Sequence, residues 1–178
     1  MSLLGLRIRI RPVCHEDLPF LQALWNDGTA MRFHGYPEGM RATEEDMERW
    51  WQSLQRAQQA HHGLAALPSP HALIETTEGA PIGELTYALD AKQRASIDLK
   101  LSPACWKQGY ALEALRIVMR ELFATTGTQR VIAAPAPDNA PARRLLEKLG
   151  FHFAPTENHP HRWACDRQDF AATMENTA

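Results

Sequence analysis

Six consecutive residues, Trp106-Lys107-Gln108-Gly109-Tyr110-Ala111, stand where a strand pattern gives way to a helix pattern. A helix N-terminus leaves its first N–H groups without intrahelical partners and carries the positive end of the helix dipole. A turn built around one small residue, here Gly109, points such groups outward together, so the stretch reads as a phosphate site. It also reads as an ordinary strand–turn–helix connection, because there is a single glycine and the Gly-Lys-Ser/Thr of a P-loop is absent. A second stretch, Asp27 to Arg41, has three Gly and one Pro and mixes Met31 and Phe33 with Arg32, His34 and Tyr36. It is either a loop packed by its own aromatics or a substrate lid, in which case Arg32, His34 and Tyr36 are the substrate contacts. His61 and His62 have no partner ligands at metal-site spacing, so no metal site is expected.

The patterns around these stretches show what must hold them. Ile97, Leu99 and Leu101 alternate with Ser96, Asp98 and Lys100, a strand that Pro103 stops. Ala111, Leu112, Ala114, Leu115, Val118, Met119, Leu122 and Phe123 recur at helical spacing, so a helix starts near Gly109. Upstream, Leu6 to Arg11 alternates as a half-buried strand ended by Pro12. A helix is expected from about Glu16 to Asn26 with an acidic first turn. Thr43 caps another, with Met47, Trp50, Trp51 and Leu54 as its apolar stripe. Any strand at Leu64–Leu67 is short, and His71–Thr76 with Ala80–Ala88 reads as a hairpin around Glu78-Gly79. Beyond the long helix come a strand at Val131–Ala134 and a helix capped by Asn139, with Pro141 in its first turn and Gly150 at its end. A strand at Phe151–Phe153 paired with Arg162–Cys165 follows, then a short terminal helix from Asp169 to Met174. This order predicts an α/β fold of the α+β type, one domain over residues 1–178 with helices on a central sheet.

Composition narrows the function classes. The 178 residues carry a formal net charge of −2 without a basic block, which argues against a nucleic-acid surface. No apolar run approaches the roughly 20 residues of a membrane span, and MSLLGLRIRI reads as a strand rather than a signal peptide. Three widely spaced cysteines, Cys14, Cys105 and Cys165, suit a reducing compartment, and a cytoplasmic location is expected.

The stretch WKQGYALEA, Trp106 to Ala114, resembles the acetyl-CoA-binding motif of the GNAT superfamily of N-acetyltransferases, Gln/Arg-x-x-Gly-x-Gly/Ala. Gly109 and Ala111 match its last two positions. Trp106, where Gln or Arg usually stands, is similar to the ribosomal-protein N-acetyltransferase (RimJ/RimL-like) branch, in which Trp-x-x-Gly-Tyr-Ala-x-Glu-Ala is common. DNAPARRLLEKLGF, from Asp138 to Phe151, resembles the family's second landmark, an Asn that begins a helix ending in Gly-Phe. The opening IRPVCHEDLPFLQALWND and the TEEDMERWW helix look like the N-terminal region of the same branch, so the resemblance covers nearly the whole chain.

The resemblance implies a mostly antiparallel sheet flanked by helices, acetyl-CoA as co-substrate, and transfer of its acetyl group to a primary amine by direct attack. The amine would be a peptide N-terminus or a small molecule. Backbone N–H groups from Trp106, Lys107, Gln108, Gly109, Tyr110 and Ala111 would hold the pyrophosphate. The edge Leu99, Lys100, Leu101 would pair with the pantetheine, with the N–H of Leu99 or Leu101 facing the thioester carbonyl. Asn139 and Arg143 would be further cofactor contacts, although N-capping explains Asn139 equally well. The family's usual tyrosine acid falls on Leu146 and its base positions on Ala95 and Ala134, so all three are empty. Glu84 and Asp98 remain on nearby strands as candidate catalytic carboxylates, each also readable as a solvated, outward-facing strand residue. The missing tyrosine leaves a second reading open, a domain that binds an acyl-CoA as sensor or scaffold without catalysing. Trp50, Trp51 and the apolar C-terminal residues suggest a homodimer.

Overall fold

The computed structural model describes residues 2–60 and 71–175. Strands β1 (Leu3–Leu4), β2 (Ile8–Pro12), β3 (His71–Thr76), β4 (Pro81–Leu89), β5 (Arg94–Leu101), β6 (Arg130–Ala133), β7 (His152–Phe153) and β8 (Trp163–Asp166) form one sheet in the order β1-β2-β3-β4-β5-β6-β8-β7. Every neighbouring pair is antiparallel except β5 with β6. That parallel pair needs a crossover, which is α4 (Tyr110–Thr125).

Alternation along the strands assigns the two faces. Ile8, Ile10, Ala72, Ile74, Leu85, Ala95 and Ile97 pack with α4, α5 (Ala140–Glu147) and α6 (Arg167–Glu175) in the larger core. On the opposite face Leu73 meets Leu18 and Leu21 of α1 (Leu18–Asn26) and Met47 and Leu54 of α3 (Glu44–Ala60). Thr43 begins α3 with a reciprocal cap: its Oγ1 accepts the Asp46 N–H at 3.2 Å, and the Asp46 carboxylate accepts the Thr43 N–H at 2.9 Å.

Two expectations change. The acidic residues Glu16 and Asp17 lie in a one-turn 3₁₀ segment, His15–Asp17, and α1 starts only at Leu18. The reason is Asp17, which is buried and accepts from both Nη atoms of Arg11, at 2.7 and 2.8 Å, and from the Cys14 N–H at 2.8 Å. The stretch from Asp27 to Arg41 is also more ordered than its composition suggests. Asp27 caps a four-residue helix, α2 (Gly28–Met31), and a 3₁₀ turn, Arg32–His34, follows and ends at Gly35 with φ of +88°. Neither piece is long enough to show a 3.6-residue period. His61, His62 and the segment Leu64–Leu67 lie outside the described residues.

The aromatic surface that suggested a homodimer has partners inside the fold. Trp50 packs edge-on to Trp25 and His71, Trp51 to His15, and Phe170 against Phe123.

Candidate functional site

Strands β5 and β6 pair through only three positions, Arg94–Arg130, Ala95–Val131 and Ser96–Ile132. Beyond Ser96, β5 continues to Leu101 on β4 alone, so one of its edges opens into a gap. The Ser102 N–H donates to the Ile82 carbonyl, and Gln93 accepts from Gln129 on the other side. Strand alternation therefore turns the N–H and C=O groups of Leu99 and Leu101 into the gap. The Leu101 carbonyl already accepts the Trp106 indole N–H at 2.9 Å, which fixes the start of the turn against the strand end.

A cavity of about 950 Å³ fills this gap and connects the two sheet faces. On the α4 side it is bounded by Trp106, Lys107, Gly109, Tyr110 and Ala111, with Asn139 and Leu146 of the α5 region. On the other side lie Arg32, Phe33, His34, Asp98 and Lys100. Leu99 sits between them.

The turn has the backbone an anion cradle needs. Lys107 and Gly109 both adopt left-handed conformations, φ 61° and 86°, and Gly109 is the N-cap of α4 with no side-chain cap of its own. Alternating handed residues of this kind gather successive N–H groups into a concavity. The turn is held from the bend just before β2 by Arg7, whose backbone N–H and Nε donate to the two Glu113 carboxylate oxygens at 2.8 and 2.9 Å. Arg7 Nη1 reaches the Gln108 carbonyl at 2.8 Å and its guanidinium covers the Tyr110 ring. The sequence reading assigned Arg7 only to a polar strand face. Glu113, the acid of WKQGYALEA, was the available signal for that strap.

Several expected site residues stand elsewhere. Arg143 turns to a separate groove with Pro135, Phe153 and Trp163, where it bonds the Pro137 carbonyl; Arg144 and Lys148 line the main cavity instead. Tyr36 is exposed and does not line the cavity, and the Gln108 side chain bonds back to Ala104. Asn139 Oδ1 caps α5 by accepting the Ala142 N–H at 3.1 Å.

Glu84 is not a solvated outward residue. It is fully buried on the α1 and α3 side, accepting the Trp25 indole N–H at 2.9 Å and bonding His71 Nδ1 at 2.9 Å, with Lys100 Nζ at 3.8 Å. Burial pushes this carboxyl up, but the His71 bond, the Lys100 charge and the Trp25 bond outweigh it and hold it below its usual range. It lies beneath the cavity rather than in its lining. Asp98 is half-exposed and tied to Lys100 Nζ at 2.7 Å. His34 is largely buried, with Nδ1 at 3.6 Å from Asp98 Oδ2. Burial lowers its pKa from the ordinary 6.5, Asp98 opposes that, and Lys100 adds to it.

Leu146, at the position where the resemblance puts a tyrosine acid, is buried and its side chain has no proton to donate. Ala95 is buried in β5 and Ala134 lines the cavity, so neither family base position carries an acid. Of the tyrosines only Tyr110 lines the cavity; Tyr87 is buried in the larger core with its hydroxyl pushed up to about 12.

An acetyltransferase (GNAT) domain model matches residues 7–152, and the chain belongs to the GNAT acetyltransferase family. The uncharacterized N-acetyltransferase YoaA of Bacillus subtilis (strain 168) is 27% identical over 148 residues, 82% of this chain and 79% of that one. Solved structures share the fold at lower identity. Mycobacterium smegmatis RimJ in complex with CoA-disulfide has a TM-score of 0.72 at 20% identity, covering 99% of this chain and 94% of that one. The spermidine N-acetyltransferase of Vibrio cholerae, in complex with CoA and spermine, has a TM-score of 0.76 at 15% identity, covering 94% and 99%.

Proposed function

We propose that this chain transfers the acetyl group of acetyl-CoA to a primary amine by direct attack in a ternary complex, in the manner of the ribosomal-protein N-acetyltransferase branch. The observation that carries the reading is the gap between β5 and β6. It offers the N–H of Leu99, unpaired among the described residues, between an anion-cradling turn and a second, side-chain-lined opening. The pyrophosphate is held by N–H groups of Lys107 to Ala111, and the pantetheine runs along the Leu99–Leu101 edge as an added strand. Leu99 N–H faces the thioester carbonyl oxygen, where charge develops as the amine attacks. Asn139, its Oδ1 engaged in the cap, has its Nδ2 left to contact the pantetheine or the substrate.

The amine enters from the face bearing Arg32, His34, Asp98 and Lys100, opposite α4. Binding both reactants in line supplies most of the rate by orientation, and the thiolate is a fair leaving group because a thiol near pKa 8.5 is far more acidic than water at about 15.7. A peptide N-terminus and a small-molecule amine both fit an opening of this kind. Thiol release from acetyl-CoA, assayed over a panel of peptides, polyamines and aminoglycosides, tests the reading. Turnover with at least one amine is expected; tight binding of acetyl-CoA with no turnover on any would support the sensor alternative.

A further inference from the structure

We infer that His34 is the group that takes the proton from the acceptor amine, with Asp98 positioning its ring; this rests on the acetyl-transfer reading above. The argument is one of elimination on the acceptor face. An amine at neutral pH is mostly protonated and cannot attack until it loses a proton. Among the described residues, the side chains lining that face are Ala30, Arg32, Phe33, His34, Asp98 and Lys100. Arg32 and Lys100 are cations with no lone pair to offer, and Arg32 lies over the Phe33 ring at 4.4 Å. Asp98 already accepts from Lys100. Glu84, the other carboxylate nearby, is committed to Trp25, His71 and Lys100 beneath the floor.

Among the described residues, His34 alone combines position with an open acceptor. Its Nδ1 faces Asp98, which favours the tautomer with the proton on Nδ1 and the lone pair on Nε2. At 3.6 Å this is an electrostatic orientation rather than a closed hydrogen bond. The 3₁₀ turn Arg32–His34 brings the ring to Asp98 and Lys100, the two sequence neighbours of Leu99 on β5. The charged groups facing it are Asp98, Lys100 and Glu84; burial and Lys100 favour the neutral imidazole, against the pull of the two carboxylates.

The step balances without a further reagent. The ammonium gives one proton to His34 Nε2, and the freed nitrogen lone pair forms the C–N bond at the thioester carbon. The carbonyl pair moves to oxygen opposite Leu99 N–H, then returns as the C–S bond breaks. The thiolate takes the second proton from the former amine nitrogen, and His34 returns its proton to water.

The test is the pH dependence of kcat/KM for the wild type and His34→Gln, with acetyl-CoA affinity measured alongside by calorimetry. The wild type should level off above an inflection lying below 6.5, the ordinary histidine value. At pH 7 the variant should lose about 10²–10⁴-fold, climb steadily toward the pKa of the amine itself, and bind acetyl-CoA as before. A variant with the wild-type inflection and a rate within about twofold at pH 7 overturns the role of His34 while leaving acetyl transfer standing. Asp98→Asn, at a half-exposed site, gives an independent check: with the anion gone and Lys100 remaining, the inflection should move further down, and an unmoved inflection overturns the pairing. A wild type that binds acetyl-CoA but releases thiol with no amine overturns both readings.

Discussion

The two ends of the cavity are built in opposite ways. The end at Trp106–Ala111 is made of backbone from one continuous turn, with its proposed function resting on N–H direction, φ sign and a helix terminus. The end at His34 is made of side chains from segments more than sixty positions apart, a 3₁₀ turn after α2 and the outer half of β5. Backbone sites leave a local signature, because a left-handed position asks for glycine and a helix start has a fixed place. Side-chain sites assembled by topology leave a weaker one: the mixed composition of Asp27–Arg41 marks Arg32 and His34, but nothing in it shows that they meet Asp98 and Lys100.

The sharpest way to break the comparison is to charge the backbone end. Gly109→Glu places a carboxylate where the pyrophosphate is proposed to sit, and should abolish acetyl-CoA binding in a calorimetric titration. Gly109→Ala separates charge from strain: at φ +86° any L-residue is strained by about 1–2 kcal/mol, and its Cβ meets only the flexible Arg7 Nη2 at 3.1 Å. The alanine variant should therefore lose some stability and retain binding.

The next effect concerns the floor beneath the acceptor end. Glu84→Leu strands the Trp25 indole N–H and leaves His71 and Lys100 without their shared anion, costing about 1–3 kcal/mol for each unsatisfied donor in a urea titration. The pH dependence has a definite sign. Glu84 is held below 4.5, so the stability it contributes is present above that value and is lost as pH falls through its lower folded-state pKa. Stability of the leucine variant should be flatter in that acid range, and acetyl-CoA affinity should not change.

Smaller still is the effect of the strap. Arg7 is half-exposed, so its pairing with Glu113 adds little to global stability, but it fixes the turn and adds positive charge there. Arg7→Ala should weaken acetyl-CoA by about tenfold, or about 1.4 kcal/mol, with little change in Tm. Leu146→Tyr should have the least effect on chemistry. It overpacks a buried site by about 1–3 kcal/mol, and turnover should not rise; a rise would mean that a missing general acid limits the rate.

The same contrast explains how much could be read before the structure. The β5–turn–α4 unit, the hairpin of β3 and β4, and the Asn139 cap with Gly150 behind it are all set by local period and cap chemistry. The resemblance of two motifs then supplied a mostly antiparallel sheet flanked by helices, and the strand order came from the structure. Glu84, a candidate catalytic carboxylate also readable as outward and solvated, is neither solvated nor in the cavity lining; alternation gives the face of a strand but not what covers it, and Trp25 of α1 and His71 of β3 close over it. Arg143 was misplaced because α5 presents Arg143 and Arg144 on adjacent faces, and only packing decides which one meets the cavity. The site of His34 depended on Asp27, whose carboxylate accepts from Thr29 and Ala30 and starts a helix too short to show a period.

One titration addresses the division of labour directly: acetyl-CoA against the wild type, Gly109→Glu and His34→Gln under identical conditions. The account predicts wild-type affinity for His34→Gln and no measurable binding for Gly109→Glu. Equal weakening in both, or unchanged affinity in Gly109→Glu, would contradict it.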